Sequence, residues 1–191
     1  MVGTWPESPL GRLDDLMWAR PDGRRLLLAG TQEAADYVSA AYGFDEVVVG
    51  PLRVDLRGRF LDLHAPERGL ELHLIGGFGI GVPWPRPAWF TRWVEGPIAR
   101  RLMGVNTYGV SPTGVREWYR AVSIRRVVAG WASVDGADLG RLGPIAPKTG
   151  FGFSEPPTFP SMVGVRPLLE WPSTRSRGRS GLRLRPRRGP G

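Results

Sequence analysis

The sequence has no cysteine, one lysine and two histidines among 191 residues. Without thiols it forms no disulfide, thiolate zinc site or cysteine nucleophile. No apolar run approaches the roughly 20 residues of a membrane-spanning helix, and residues 1–12 lack the basic and apolar regions of a signal peptide. These absences predict a cytoplasmic protein without membrane association.

Acidic residues are missing from the last twenty positions, where much of the +8 net charge lies. Residues 172–191 carry seven arginines and no acid, which leaves residues 1–171 with a formal charge of +1. A segment rich in arginine, glycine and proline is predicted to be disordered. We expect one globular domain over 1–171 and a disordered tail over 172–191 that binds nucleic acid only weakly, through its charge.

The first hundred residues contain signals for a hairpin and a helix. Strands are predicted over Leu13–Ala19 and Arg24–Ala29, because the turn between them includes Asp22-Gly23. Thr31 is a suitable N-cap for a helix over Gln32–Tyr42, with Gly43 as its stop.

The strongest pattern is a meander of three strands between residues 52 and 74. Leucine and valine alternate with charged residues in each strand, which is the period of an extended chain. Gly58-Arg59 suits a two-residue turn of type II′. If the aliphatic side chains share one face, parity allows a register that sets Asp62 opposite both Asp55 and His73, and His64 opposite both Arg53 and Glu71.

The remaining segments complete a prediction of the fold class. Residues 76–87 are rich in glycine and proline and are predicted to form a connection, and helical spacing follows over Phe90–Leu102. Residues 115–134 predict one or two strands that turn at Asp135-Gly136, residues 140–160 a loop, and Met162–Trp171 a last strand. The chain therefore predicts an α+β fold, with a curved antiparallel sheet and two helices packed on it. A partly closed barrel is the alternative form of the sheet.

The charged face of the meander is the first candidate site. Its residues are Asp55, Asp62, His64, Glu71 and His73. Directly opposed residues have Cβ atoms about 5 Å apart, which is close enough for an acid–base pair or a shared divalent metal. The competing interpretation is an ordinary solvated sheet face stabilised by cross-strand pairs. No other cofactor is predicted.

A second candidate site lies among aromatic residues before and within the second predicted helix. Its residues are Trp84, Trp89, Phe90 and Trp93. Such side chains form a protein core or the wall of an apolar pocket for a small organic ligand.

Three segments, PDGRRLLLAG, FTRWVEGPIARRLMGVNTYGVSPTGVREWYRA and FGFSEPP, resemble a group of uncharacterised actinobacterial proteins of similar size. The resemblance covers about residues 1–171 and implies a bacterial cytoplasmic setting. It implies no activity and no site residues.

These observations favour a small-molecule binding module with an apolar, aromatic-lined pocket. One alternative is an enzyme that uses the Asp/His/Glu cluster for acid–base or metal-assisted hydrolysis, and another is weak nucleic-acid binding through the tail. The sequence leaves the oligomeric state, and whether the protein is an enzyme, open.

Overall fold

The computed structural model describes residues 1–82, 107–145, 148–152 and 154–171. The predicted helix over Phe90–Leu102 and the predicted tail lie outside these ranges. In chain order the described elements are β1 (Val2–Trp5), β2 (Leu13–Ala19), β3 (Arg25–Ala29), α1 (Gln32–Ala41), β4 (Glu46–Val49), β5 (Arg53–Arg57), β6 (Phe60–Ala65), a 3-10 helix (Pro66–Arg68), β7 (Leu70–Gly81), β8 (Tyr108–Val110), β9 (Arg116–Trp118), β10 (Ala121–Val134), β11 (Ala137–Asp138), β12 (Ser161–Val165) and β13 (Leu168–Glu170).

The hairpin and the first helix are confirmed almost to the residue. Gly23 has the positive φ of +85° that the turn between β2 and β3 requires. Thr31 caps α1, because its hydroxyl accepts a hydrogen bond from the backbone N–H of Ala34 at 3.2 Å. The helix ends at Ala41 with Tyr42 as an extended C-cap, and Gly43 follows at the predicted stop position without a positive φ.

Strands β1 to β4 form a sheet that is covered on both faces. The order is β1-β2-β3-β4, and β3 and β4 run parallel because α1 is the crossover between them. Leu13, Met17 and Leu27 face the helix, where they pack with Ala35 and Val38.

The opposite face of this sheet packs on the meander. Leu16, Leu26 and Leu28 lie in one buried cluster with Val54 and Leu63. Each buried leucine contributes about 1.5–3 kcal/mol relative to exposure. The helix, the four-stranded sheet and the meander therefore form three successive layers.

The meander is part of a larger antiparallel sheet of order β11-β10-β7-β6-β5, in which β12 also pairs with β10. Gly58 has a φ of +63°, as the predicted turn between β5 and β6 requires. Asp135 and Gly136 have φ angles of 51° and 78° and form the predicted turn between β10 and β11.

Two predicted segments differ from the structure. Gly76–Gly81 is not a connection but the end of β7, where a Cβ on Gly76 would lie 2.6 Å from the Arg125 Cδ atom and that side chain would have to shift. The predicted strand over Met162–Trp171 is two strands, β12 and β13, which belong to different sheets. Pro167 lies between them and has no N–H to continue the ladder.

The described residues confirm an antiparallel, sheet-rich α+β fold, but divided into three sheets. The third sheet has the order β13-β9-β8. Within the described ranges α1 is the one α-helix, and each sheet has an open linear order, so the partly closed barrel is not confirmed.

Candidate functional site

The structure places all five sequence-predicted acidic and histidine residues in the register that parity allowed. Strands β5 and β6 pair Asp55 with Asp62, and strands β6 and β7 pair Asp62 with His73 and His64 with Glu71. Their aliphatic neighbours point into the core, so these side chains lie on the side of the sheet that faces away from β1–β4. We call this side the outer face.

Strand β10 adds an aromatic residue that sequence reasoning did not place here. Trp131 pairs with His73 across β7 and β10, and the two rings stack with centroids 4.2 Å apart and an angle of 27° between their planes. On its other side, the His73 Nδ1 atom is 2.5 Å from an oxygen of Asp62. Asp62, His73 and Trp131 thus form a continuous row over three strands, which we call the outer row.

The contacts of His73 determine its chemistry. A neutral imidazole that donates from Nδ1 to a carboxylate presents Nε2 as a hydrogen-bond acceptor. The carboxylate on one side and the indole on the other restrict rotation of the ring. The His73 side chain is nevertheless 40% exposed and that of Asp62 is 49% exposed, so solutes have access to both.

The predicted pair of His64 and Glu71 is in less close contact than Asp62 and His73. His64 Nδ1 is 3.6 Å from an oxygen of Glu71, and the two side chains are about half exposed. Arg53 lies opposite His64 on β5. Exposed pairs at such separations contribute little to stability, so this row is a solvated extension of the face.

The opposed carboxylates of Asp55 and Asp62 repel each other unless a cation lies close to them. Arg57 forms an ion pair with Asp55, and the His73 ring contacts Asp62. The hydrogen bond from Arg57 lowers the pKa of Asp55 below its usual value. In the part of the chain that the structure describes, no group of three or more His, Cys, Asp or Glu side chains has an arrangement suited to a metal ion.

A shallow groove of about 190 Å³ lies beside Trp131, between β10 and the segment that follows β11. It is lined by Leu72, Leu74, Gly130, Trp131, Ala132 and residues 139–143. A second groove of about 470 Å³ shares Leu142 and Gly143 with the first. The leucines, glycine and alanine of β7 and β10 in this lining alternate with His73 and Trp131, so the groove lies mostly on the side of the sheet opposite to the outer row.

The second candidate site cannot be placed, since Trp84, Trp89, Phe90 and Trp93 lie outside the described residues. The aromatic-lined pocket that they were predicted to form stays a prediction.

Sequence reasoning missed a buried polar cluster on the other side of the molecule. Glu117 on β9 is 0% exposed and Asp15 on β2 is 3% exposed. The Tyr42 hydroxyl donates a hydrogen bond to Glu117 Oε2 at 2.8 Å. Burial raises the pKa of Asp15 to about 6 and raises the pKa of Glu117. The only available signal was an acid within an apolar strand, as in Leu13-Asp14-Asp15-Leu16-Met17.

Comparison with known proteins gives no match: no protein-family model, curated protein or solved structure resembles this chain. The resemblance to an actinobacterial group stays a prediction. Among the described residues, no helix is long and apolar enough to cross a bilayer.

Proposed function

We propose that the protein binds a small polyhydroxylated ring molecule, of the size of one sugar unit, on the outer face. The observation that carries the proposal is the outer row, in which a carboxylate, an imidazole and an indole stand side by side on an open sheet face. A small-molecule function was also expected from the sequence, but there it depended on the aromatic residues of the second predicted helix.

Trp131 supplies the apolar part of the proposed contact. It is 48% exposed although His73 stacks on it. Indole rings contribute large apolar area with little conformational entropy to lose. The C–H face of a sugar ring is flat and apolar, so it suits an exposed ring of this kind.

His73 and Asp62 supply hydrogen-bonding groups next to that ring. Nε2 of His73 accepts from a hydroxyl, and so does the Asp62 oxygen that does not contact His73. Hydrogen bonds to charged groups contribute about 1.5–3 kcal/mol, more than those between neutral groups. Neighbouring strands lie about 4.8 Å apart. Two hydroxyl groups of one sugar ring can therefore reach acceptors on both strands.

The extent of the outer row favours a single ring, because it offers one indole, with His73 and Asp62 on the next two strands. Because the outer face is open, much of the ligand stays solvated. We expect a dissociation constant of about 0.1–1 mM, which corresponds to about −5.5 to −4.1 kcal/mol.

Replacement of Trp131 by alanine is expected to weaken binding at least tenfold, because it removes the stacking surface. The measurement is saturation-transfer NMR and calorimetry with glucose, galactose, mannose, N-acetylglucosamine and inositol. Trp171→Ala is the matched control, since Trp171 is similarly exposed at 42% but packs against Tyr37. Absence of saturable binding across the panel, or equal affinity in Trp131→Ala, would refute the proposal.

The Asp62–His73 contact favours one second candidate, acid–base catalysis on the same ligand. A carboxylate that holds the Nδ1–H tautomer leaves Nε2 as a general base, which typically contributes a factor of about 10²–10⁴ to a rate. The test is turnover of p-nitrophenyl glycosides of whichever sugar binds, with Asp62→Asn as the variant. Binding without turnover would end this candidate and leave the binding function intact.

A further inference from the structure

Glu117 is a buried carboxyl group with half of its hydrogen-bonding capacity unused. Oε2 accepts the hydrogen bond from Tyr42, whereas Oε1 is buried and has no hydrogen-bond partner. Leaving a buried polar atom unpaired costs about 1–3 kcal/mol, and more when the group is charged. Ionisation of Glu117 in this position is therefore much more costly than burial of its neutral form.

Among the described residues, the groups that interact with Glu117 are tyrosine hydroxyls rather than a neutralising base. The Tyr119 side chain hydrogen-bonds Tyr42 and interacts electrostatically with both Glu117 and Asp15, and Tyr37 interacts electrostatically with Glu117. Glu117 and burial together raise the pKa values of Tyr37, Tyr42 and Tyr119, the last to about 12. These tyrosines stay neutral at physiological pH and cannot compensate a negative charge.

The charged groups of the neighbouring elements do not change this conclusion. The α-amino group of Met1 lies near Asp15 and lowers the pKa of that acid, against the larger effect of burial. Arg120 is the residue after Tyr119 in the chain. Its Nε atom is buried, and the residue already interacts with another group. In the part of the chain that the structure describes, the interactions that involve Glu117 are with tyrosines.

Glu117 also lies where the third sheet meets the rest of the molecule. Its hydrogen bond connects β9 to Tyr42 at the end of α1. The Thr113 hydroxyl donates to the Ala41 carbonyl at 3.3 Å, and Trp171 packs edge-on against Tyr37 with centroids 5.5 Å apart. All three contacts reach α1 or its C-terminal end, so a change at Glu117 acts directly on this junction.

We propose that Glu117 is a proton-controlled latch, which in its protonated form holds the sheet of β8, β9 and β13 against α1 and on ionisation releases it. Ionisation places an unpaired charge in the junction, and opening of the junction hydrates that charge. Since the closed form binds the proton more tightly than the open form, the closed population falls as pH rises. We expect the latch to act locally, because β9 and the meander belong to different sheets.

The test is hydrogen–deuterium exchange of wild type and Glu117→Gln between pH 5 and 9, with rates divided by intrinsic exchange rates. Protection of β8, β9 and β13 is expected to fall at least tenfold over this range in the wild type and to stay constant in Glu117→Gln. Glutamine keeps the acceptor for Tyr42 and cannot ionise. Strands β5, β6 and β7 are the internal control and should retain their protection.

Tyr42→Phe provides a second and independent test. The hydrogen bond from Tyr42 lowers the pKa of Glu117, so its removal should make the fall in protection of the third sheet larger and extend it to higher pH. Constant protection in the wild type, or the same decline in Glu117→Gln as in the wild type, would overturn the proposal. A decline that disappears in Asp15→Asn but persists in Glu117→Gln would assign the effect to Asp15 and overturn it as well.

Discussion

Replacement of Asp15 by asparagine is expected to increase the free energy of unfolding by about 3 kcal/mol at pH 7 and to change it little at pH 4. Burial raises the pKa of Asp15 from 3.8 to about 6 in the folded protein, and each unit corresponds to about 1.4 kcal/mol. Because the folded state binds this proton more tightly, its stabilising effect is complete below pH 3.8 and is lost as pH rises through 6. Above that range the native protein carries a buried charge that asparagine does not have.

The prediction is checked by urea unfolding of both proteins at pH 4 and pH 7. Asparagine has an oxygen that accepts the hydrogen bond from Trp5, so the replacement removes charge with little change of shape. Asp36→Asn is the control, since Asp36 is exposed on α1. If Asp15→Asn changed the free energy of unfolding equally at both pH values, burial would not raise the pKa of Asp15 in the folded protein.

Replacement of Leu63 by alanine is expected to lower the free energy of unfolding by about 2–5 kcal/mol. Leu63 is 2% exposed and lies in the cluster between the meander and the four-stranded sheet. Its side chain points to one side of β6 and that of His64 to the other. The same truncation at His64 removes an exposed side chain and should cost less than about 0.5 kcal/mol.

Adjacent residues on one strand therefore make a matched pair for measuring which face is buried. Chemical denaturation at a single pH, with the denaturant dependence checked for constancy, gives both values. Similar losses for the two variants would mean that both faces of β6 are covered, and the outer face could not then present a ligand site.

The register of the meander was predictable because two local signals agreed. Alternation decides which face Leu63 and His64 take, and Gly58 fixes the turn that aligns β5 with β6. Thr31 marked the start of α1 for a similar reason, since capping depends on residues only three apart. Where the determining contacts are local, the sequence specifies the structure closely.

The pairing of Trp131 with His73 was not predictable, because a long segment of the chain separates β7 from β10. No turn sets their register, and the pairing contains irregularities between Arg125 and Ala129 that shift it. Gly76–Gly81 resembles a loop in composition, and only its pairing with β10, where Arg125 lies close to Gly76 and Gly79, places it in a strand. These features follow from tertiary contacts rather than from local preference.

Asp15 and Glu117 were missed because alternation assigns acids to the solvent side. Strand β2 is covered by α1 on one face and by the meander on the other, so it has no solvent side in its middle. A Cβ on Gly3 would lie 2.2 Å from the Asp15 carboxylate, which shows that the neighbouring strand leaves space for the acid. The position of Gly3 opposite Asp15 depends on the pairing of β1 with β2, which the sequence alone did not predict.

The most direct test of the outer row is the set of NOEs from the His73 ring protons in solution. The centroids of His73 and Trp131 are 4.2 Å apart, so strong NOEs between imidazole and indole protons are expected. They should disappear in Trp131→Ala while the NOEs across β6 and β7 persist. NOEs from His73 to the leucine side chains of the core, or none to Trp131, would contradict the outer row and the binding function proposed from it.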